Sequence, residues 1–258
     1  LRRQRQMCIR DRGVEYINLN RPEIHNAFND EMIKELTEKF NSLSEDKSCR
    51  LIVITGNGKS FCAGADLNWM KSMKDYSFEQ NVADSKALDG LFKAIDNCSK
   101  PVIGKINGAA LGGGVGVLSC VDYAIASERA KFGLTEVRLG LLPAVISPYV
   151  IRKIGRSWAR ATFMSGAFFD AWKAFHMGLV HEVVKPEELD DKTQALINEF
   201  LVAAPQAQIM AKELINEVYG KEDPSDYTCE LIAKKRIGPE GQEGMSALLE
   251  KRKVKWPN

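Results

Sequence analysis

Short apolar runs alternate with amphipathic stretches along the first two thirds of the chain. Residues 14–19, 51–55, 101–106 and 122–126 have the length and apolar character of strands. The run 51–55 is almost wholly apolar, as expected of a strand that is buried on both faces of a sheet. This pattern predicts a largely parallel sheet with helices between its strands, which is the α/β class.

The segments between these runs have apolar side chains at helical spacing. Asn29 or Asp30 can cap a helix that buries Ile33, Leu36, Phe40 and Leu43. Residues 56–65 are predicted to be a loop, and Asp66 opens the next helix. A further helix runs through Leu88, Leu91, Phe92 and Ile95.

The chain becomes mainly helical from residue 156 and is predicted to end in a charged helix over 243–253. Gly178 fits a helix C-cap before a short strand at 179–184. We therefore expect a core over residues 13–195 and a helical C-terminal region over 196–258.

The first twelve residues differ from the rest of the chain. They contain five of the 36 basic residues and one of the 34 acidic residues, so the remaining 31 and 33 give a net charge of −2 instead of +2. They show neither helical nor strand periodicity, and the sequence LRRQRQMCIRDR looks non-native. We expect this segment to pack poorly. Without it, no basic excess favours nucleic acid or an anionic membrane as a partner.

Metal and disulfide chemistry have little support in the sequence. The six cysteines include no C-x-x-C pair, and the three histidines form no H-E-x-x-H pattern. Free, mostly buried thiols and a cytoplasmic location are expected, with no metal site. No apolar run approaches the roughly 20 residues that a membrane-spanning helix needs.

Two familiar nucleotide-binding patterns fail on inspection. Residues 56–60, GNGKS, follow a predicted strand, but Val53 stands where a phosphate loop needs its first glycine. Residues 112–116 resemble a dinucleotide fingerprint whose third glycine would fall at Val117.

Two small-residue segments each follow a predicted buried strand: residues 60–67, SFCAGADL, and residues 107–114, NGAALGGG. Loops after parallel strands lie at the carboxyl edge of the sheet, where α/β proteins bind ligands. Gly113 would also lie near a helix N-terminus, which favours an anion. Two N–H groups from separate loops can form an oxyanion hole, where each donor contributes roughly 3–4 kcal/mol. Tight packing alone could account for the small residues of one segment. It accounts less well for two such segments, each after a buried strand.

These two segments resemble the signature loops of the crotonase (enoyl-CoA hydratase/isomerase) superfamily. The similarity extends from Asn20-Arg-Pro through Asn26-Ala27 to the residues EKRK at 250–253. The resemblance implies a spiral of strand–strand–helix turns, an additional strand before Val14, and C-terminal helices that assemble a homotrimer or a hexamer. It also implies an acyl-coenzyme A substrate and no further cofactor.

The resemblance assigns roles to individual residues. The N–H groups of Ala63 and Gly113 would polarise the thioester carbonyl. The loop Ala63, Gly64, Ala65, Asp66 and Leu67 would hold coenzyme A, together with Gly112, Gly116, Pro143 and Lys251. Lys251 would reach a neighbouring subunit's coenzyme A from the terminal helix, although a solvated helix charge is an equally simple interpretation.

The acid and base residues determine the reaction. Hydratases of this superfamily commonly carry two glutamates, and here Gly116 occupies the place of one and Glu136 the place of the other. A glutamate in an apolar pocket has a raised pKa and can act as base and then acid. The alternative is a surface glutamate paired with Arg138, which is itself expected at the surface or at a subunit contact.

A finer resemblance concerns the substrate. Residues 63–70, 111–116, 134–150 and 239–247 are similar to bacterial 3-methylglutaconyl-CoA hydratases of leucine degradation and to their acyclic-terpene relatives. Hydration of a branched enoyl-CoA is therefore expected. A double-bond isomerase that uses Glu136 alone is the first alternative, and an RNA-binding module is a minor one.

Overall fold

The computed structural model describes the backbone of residues 6–11 and the whole of residues 13–256. The strands of this part, in chain order, are β1 (Gln6–Asp11), β2 (Val14–Leu19), β3 (Leu51–Gly56), β4 (Ser60–Cys62), β5 (Val102–Ile106), β6 (Ala109–Leu111), β7 (Tyr123–Ser127), β8 (Lys131–Gly133), β9 (Phe168–Asp170) and β10 (Glu182–Val184). They form a six-stranded sheet in the order β1-β2-β3-β5-β7-β10 and a four-stranded sheet in the order β4-β6-β8-β9.

The helices of the same residues cover the sheets and form the C-terminal region. In chain order they are α1 (Asp30–Glu45), α2 (Leu67–Ser72), α3 (Phe78–Asp96), α4 (Gly113–Cys120), α5 (Ser147–Ser165), α6 (Ala171–His176), α7 (Leu189–Val202), α8 (Pro205–Val218), α9 (Ser225–Ile237) and α10 (Pro239–Leu249). Helices and strands alternate as far as α7, which confirms the α/β class.

The longer predicted elements are present. Strands β2, β3, β5 and β7 pair parallel with one another in that order, and all six residues of β3 are buried. Asn29 caps α1 by accepting a hydrogen bond from the Met32 N–H, and the predicted apolar face of α1 is buried against α3. The parallel sheet and this helix pair enclose the main hydrophobic core.

The second sheet was not predicted from the pattern of apolar residues. β4 lies inside the predicted loop 56–65, and β6 lies inside the second small-residue segment. Strands of three residues are too short to show a period of two, so their pairing depends on neighbours that are distant in the chain. This sheet places both segments side by side.

The backbone of residues 6–11 forms a hairpin with β2, which the sequence pattern did not predict. β1 pairs antiparallel with β2 along its whole length, from Gln6 opposite Leu19 to Asp11 opposite Val14. It therefore occupies the position that the resemblance assigns to an additional strand before Val14. The expectations for residues 1–5 and 12, and for the side chains of 6–11, lie outside the described residues.

Two C-terminal boundaries differ from the prediction. The last helix ends at Leu249, and Lys251 follows it in a left-handed conformation with φ of 54°. The predicted boundary at residue 195 falls inside α7, where Leu196 and Ile197 pack with Val53 and Ile103 of the first sheet. The core therefore extends to the end of α7. Within the part of the chain that the structure describes, no helix is long and apolar enough to cross a bilayer.

Candidate active site

The two small-residue segments meet at the carboxyl ends of β4 and β6. A Cβ atom at Gly114 would lie 2.4 Å from the Cys62 carbonyl oxygen, so the start of α4 packs directly on the backbone after β4. Gly64, with φ of 92°, approaches the Leu111 carbonyl oxygen in the same way, at 3.2 Å from its would-be Cβ. These contacts require residues without side chains, and they bring the two segments together as expected.

A cavity of about 430 Å³ opens between these segments and the region around Glu136. Most of the predicted site residues line it: Ala63, Gly64, Ala65, Leu67, Gly112, Gly113, Glu136 and Pro143. Asp66, Gly116 and Lys251 are absent from its lining. The remaining lining is almost entirely apolar, and Glu136 is its one charged side chain among the described residues.

The N–H of Ala63 is not available to a ligand. It donates a hydrogen bond of 3.0 Å to the His25 carbonyl oxygen. Phe28 N–H donates to the Gly64 carbonyl and Asp66 N–H donates to the Phe28 carbonyl, so Ala65 has its own N–H directed away from this bridge. Among the described residues, the Ala65 N–H donates no backbone hydrogen bond. The prediction that Ala63 supplies the free N–H is therefore wrong, and Ala65 supplies it instead.

Gly113 agrees with its predicted place. It is the first residue of α4, and the first N–H groups of a helix have no acceptor within the helix. In the described part of the chain, no backbone carbonyl outside the helix accepts a hydrogen bond from the Gly113 N–H either. Ala65 and Gly113 thus supply one free N–H each to the same cavity, which is the requirement for binding a developing oxyanion.

Glu136 faces the cavity from a single 3₁₀ turn, Glu136–Leu139. Its Oε2 atom is buried and has no hydrogen-bond partner among the described residues. Burial raises the pKa of its carboxyl group, and a hydrogen bond from its own backbone N–H opposes this shift only in part. The alternative of a surface pair with Arg138 is wrong, because the Arg138 guanidinium lies over the Phe168 ring, 5.5 Å from its centroid.

Gly116 is a packing position and not a substrate contact. It is buried in α4, where a Cβ atom would lie 2.5 Å from Ile146 Cγ2 and 2.8 Å from the Phe92 ring. Ile146 and Phe92 occupy the volume that a side chain at residue 116 would need. The place of the second glutamate is therefore filled by apolar side chains.

Asp66 and Lys251 have other surroundings than expected. The buried Asp66 carboxylate accepts from the Asn68 N–H and so caps α2, and its other oxygen pairs with Arg21 at 2.7 Å. Although burial opposes the shift, these hydrogen bonds lower the pKa of Asp66. Lys251 is exposed beyond the last helix, outside the cavity lining of this chain.

The potential metal ligands and the thiols of the described residues are dispersed. No group of three or more potential metal ligands occurs in the residues that the structure describes. Of the described cysteines, Cys49, Cys62, Cys98 and Cys120 are buried free thiols and Cys229 is exposed. Burial raises the pKa of the Cys62 thiol to about 12, so this thiol stays neutral beside the cavity.

Known proteins that resemble this chain show its family and its fold. The sequence profile of the enoyl-CoA hydratase/isomerase family matches residues 10–258. The chain belongs to this family. An enoyl-CoA hydratase of Alternaria alternata is 35% identical over 95% of this chain and 81% of its own length. A crotonyl-CoA hydratase of Syntrophomonas wolfei is 32% identical over 96% and 95%. The crystal structure of an enoyl-CoA hydratase from Shewanella pealeana, 40% identical, superposes with a TM-score of 0.94 over 98% of this chain and 96% of that one.

Several functional positions of this family member were missed by sequence reasoning. Ala65 was placed in the coenzyme A loop but not recognised as the donor, because pairing with residues 25–28 determines which N–H stays free. Trp69, Leu88 and Ile146 line the cavity, but their apolar spacing predicts only core packing. Arg21 and Asn26 were part of the family resemblance without an assigned role.

Proposed function

We propose that the chain is an enoyl-CoA hydratase that adds water reversibly across an α,β double bond. One observation carries the proposal: a Glu136 carboxyl group with a raised pKa and one buried oxygen without a hydrogen-bond partner shares an apolar cavity with two free backbone N–H groups. Enolate chemistry needs a base, an acid and a site for negative charge, and this arrangement can supply all three.

The proposed mechanism uses Glu136 twice. Its carboxylate takes a proton from a water molecule while the water oxygen forms a bond to Cβ. The π electrons move toward the thioester oxygen, whose negative charge is stabilised by the N–H groups of Ala65 and Gly113. The Glu136 carboxylic acid then returns a proton to Cα, so one water is added and the carboxylate is regenerated.

The proposed substrate is 3-methylglutaconyl-CoA, with 3-hydroxy-3-methylglutaryl-CoA as product. This finer proposal rests on the resemblance described above. The acyl group has a distal carboxylate, and an apolar cavity whose charged group is Glu136 gives that carboxylate no favourable position inside.

A groove that adjoins the cavity offers a position for the distal carboxylate. The groove and the cavity share Ser85, Ala144 and Val145. The charged side chains of the groove in the described part of the chain are Lys86 and Asp89, and the Asp89 carboxylate is paired with Lys93 at 2.6 Å. We propose that Lys86 attracts the distal carboxylate while the reacting carbons lie at Glu136.

Double-bond isomerisation is the second candidate, and Gly116 favours it. One carboxylate is sufficient to move a proton between Cα and Cγ, and Ile146 and Phe92 leave no room for a second one. The hydratase proposal comes first because the similar proteins described above carry that activity in their names.

The proposed assembly is a homotrimer or a hexamer. Neither α8 nor α9 has a buried side chain, and Ile237, Leu248 and Leu249 are each at least 78% exposed. Large exposed apolar patches are typical of subunit interfaces.

The deciding experiment incubates the full chain with 3-methylglutaconyl-CoA, crotonyl-CoA and a β,γ-enoyl-CoA in ¹⁸O-labelled water and follows acyl-CoA mass. A gain of one labelled water that is lost in Glu136→Gln supports the hydratase. An unchanged mass with a shifted double bond in the β,γ-enoyl substrate supports the isomerase. If crotonyl-CoA is hydrated and 3-methylglutaconyl-CoA is not, the substrate proposal is wrong and the reaction type stands.

A further inference from the structure

The free N–H of Ala65 depends on a bridge between two chain segments. Residues 25–28 and 63–66 are joined by three backbone hydrogen bonds of 2.7 to 3.0 Å, which use the N–H groups of Ala63, Phe28 and Asp66. In the parallel bridge between Phe28 and Ala65, Phe28 bonds to the Gly64 carbonyl and to the Asp66 N–H on either side of Ala65, so the Ala65 N–H itself points away from the bridge. Any change in the bridge would rotate or shift that donor.

The first of these segments contains two consecutive residues in the left-handed region. His25 and Asn26 have φ of 55° and 57°, which is uncommon for residues with a side chain, although histidine and asparagine adopt this region more readily than most. The Asn26 side chain is fully buried, accepts from the Arg21 N–H at 2.8 Å, and donates to the carbonyls of Asn57 and Ser60. These bonds hold the segment in place.

Arg21 joins both segments through its guanidinium group. Nη1 donates to the Ala27 carbonyl at 2.6 Å, and Nη2 donates to the Asp66 carboxylate at 2.7 Å. Ala27 belongs to the first segment, and Asp66 is the neighbour of Ala65 in the second. The pair is buried, with 12% and 8% of the two side chains exposed, so water does not replace it readily.

We propose that Arg21 is a positioning residue for the reaction: it clamps the two segments and so aims the Ala65 N–H at the thioester oxygen. Arg21 is outside the cavity lining and acts through Ala27 and Asp66. The role of the Ala65 N–H rests on the proposed function. A planar guanidinium can hold a carbonyl and a carboxylate at once in fixed directions, which a lysine cannot do.

The test compares Arg21→Met, Arg21→Lys and the double variant Arg21→Met/Asp66→Asn with the unchanged chain. Hydration of crotonyl-CoA should show kcat lowered about 10- to 100-fold in Arg21→Met with KM changed little, because a misplaced donor affects the transition state most. The kcat of Arg21→Lys should lie between the kcat of Arg21→Met and that of the unchanged chain. The double variant leaves no buried unpaired charge, so it reports on the clamp if Arg21→Met folds poorly.

A second readout follows the carbonyl directly. The absorption band of cinnamoyl-CoA moves to longer wavelength when its thioester carbonyl is polarised, so saturating binding measures the donors without turnover. The shift should be smaller in all three variants. Lys39→Met is the control, because Lys39 lies outside the cavity lining and pairs at 2.5 Å with the buried Glu15 carboxylate. This variant should lower stability without changing the absorption band.

The outcomes separate the two proposals. If the unchanged chain hydrates no enoyl-CoA, the proposed function fails, and the band shift still tests Arg21. If folded Arg21→Met and the double variant keep the full band shift and kcat, or change no more than Lys39→Met does, Arg21 has no positioning role.

Discussion

Gly112 leaves open the space next to the Glu136 carboxylate: a Cβ atom at residue 112 would lie 3.1 Å from Glu136 Oε1. Gly112 also has a positive φ of 49°, which disfavours any residue with a side chain. The position of the proposed acid/base group therefore depends on the start of α4. A methyl group at residue 112 would force the Glu136 oxygen to shift by a few tenths of an ångström.

Replacement of Gly112 by alanine should lower kcat because the added methyl group pushes the Glu136 carboxylate out of position. We expect a loss of about 10- to 100-fold in crotonyl-CoA hydration, the usual cost of a displaced catalytic group. Gly178→Ala is the control: it has a similar positive φ of 78°, but its nearest neighbour would be 3.8 Å from the new methyl group. Equal losses in the two variants would assign the effect to backbone strain.

Glu136→Gln should remove about 10²- to 10⁴-fold of kcat, the range for loss of a general acid/base group. It should also alter the pH dependence of stability. The folded protein binds a proton at Glu136 at higher pH than the unfolded chain does, because burial raises the folded pKa. The contribution of Glu136 to the stability of the unchanged protein is therefore largest below the pKa of this group in the unfolded chain, about 4.3. It is lost as the pH rises through the higher pKa of the folded protein.

The difference in Tm between Glu136→Gln and the unchanged chain should accordingly be more positive at pH 8 than at pH 5. Thermal unfolding at both pH values measures it. A variant whose relative Tm is the same at both values would show that the carboxylate is solvated in the folded protein.

Gly116→Ala should destabilise the chain by about 1–3 kcal/mol, because a methyl group there overlaps with Ile146 and Phe92. Ile146→Ala removes the closer of the two obstacles. The double variant should therefore lose less free energy of unfolding than the two single losses added together, by at least about 0.5 kcal/mol. Urea denaturation of the four proteins completes the cycle, and additive losses would contradict the packing described for Gly116.

Lys86→Met should raise KM for 3-methylglutaconyl-CoA and leave KM for crotonyl-CoA unchanged, because only the first substrate has a distal carboxylate. An exposed ion pair contributes up to about 1 kcal/mol, so the increase should be roughly 3- to 5-fold, and Lys86→Glu should exceed it through repulsion. Lys34→Met on α1, outside cavity and groove, is the matched control. Parallel changes for both substrates would rule out a carboxylate contact at Lys86.

Leu248→Glu should dissociate the proposed oligomer, because Leu248 is 78% exposed at the end of α10 and a charge there opposes burial. Light scattering after size exclusion gives the mass of each species. Lys47→Glu, on an exposed loop after α1, controls for the change of charge. A chain that is monomeric without the substitution would refute the assembly proposal.

The sequence alone was sufficient for the long elements and for the general position of the site. Apolar periodicity over α1 and the apolar run of β3 depend on local patterns, which burial then satisfied. Glu136 and Gly113 were recognised because their neighbours in the chain form family motifs. These predictions need only short-range information.

Tertiary structure decided which atoms the site can use. Ala63 and Ala65 are both alanines in the same loop, so the sequence does not distinguish their N–H groups. The pairing with residues 25–28 does so, because the His25 carbonyl accepts from the Ala63 N–H and the Ala65 N–H stays free. Gly116 was interpreted as part of the substrate site, and the distant side chains of Ile146 and Phe92 explain it as packing. Hydrogen-bond partners and excluded volume depend on residues far apart in the chain, and no local pattern contains them.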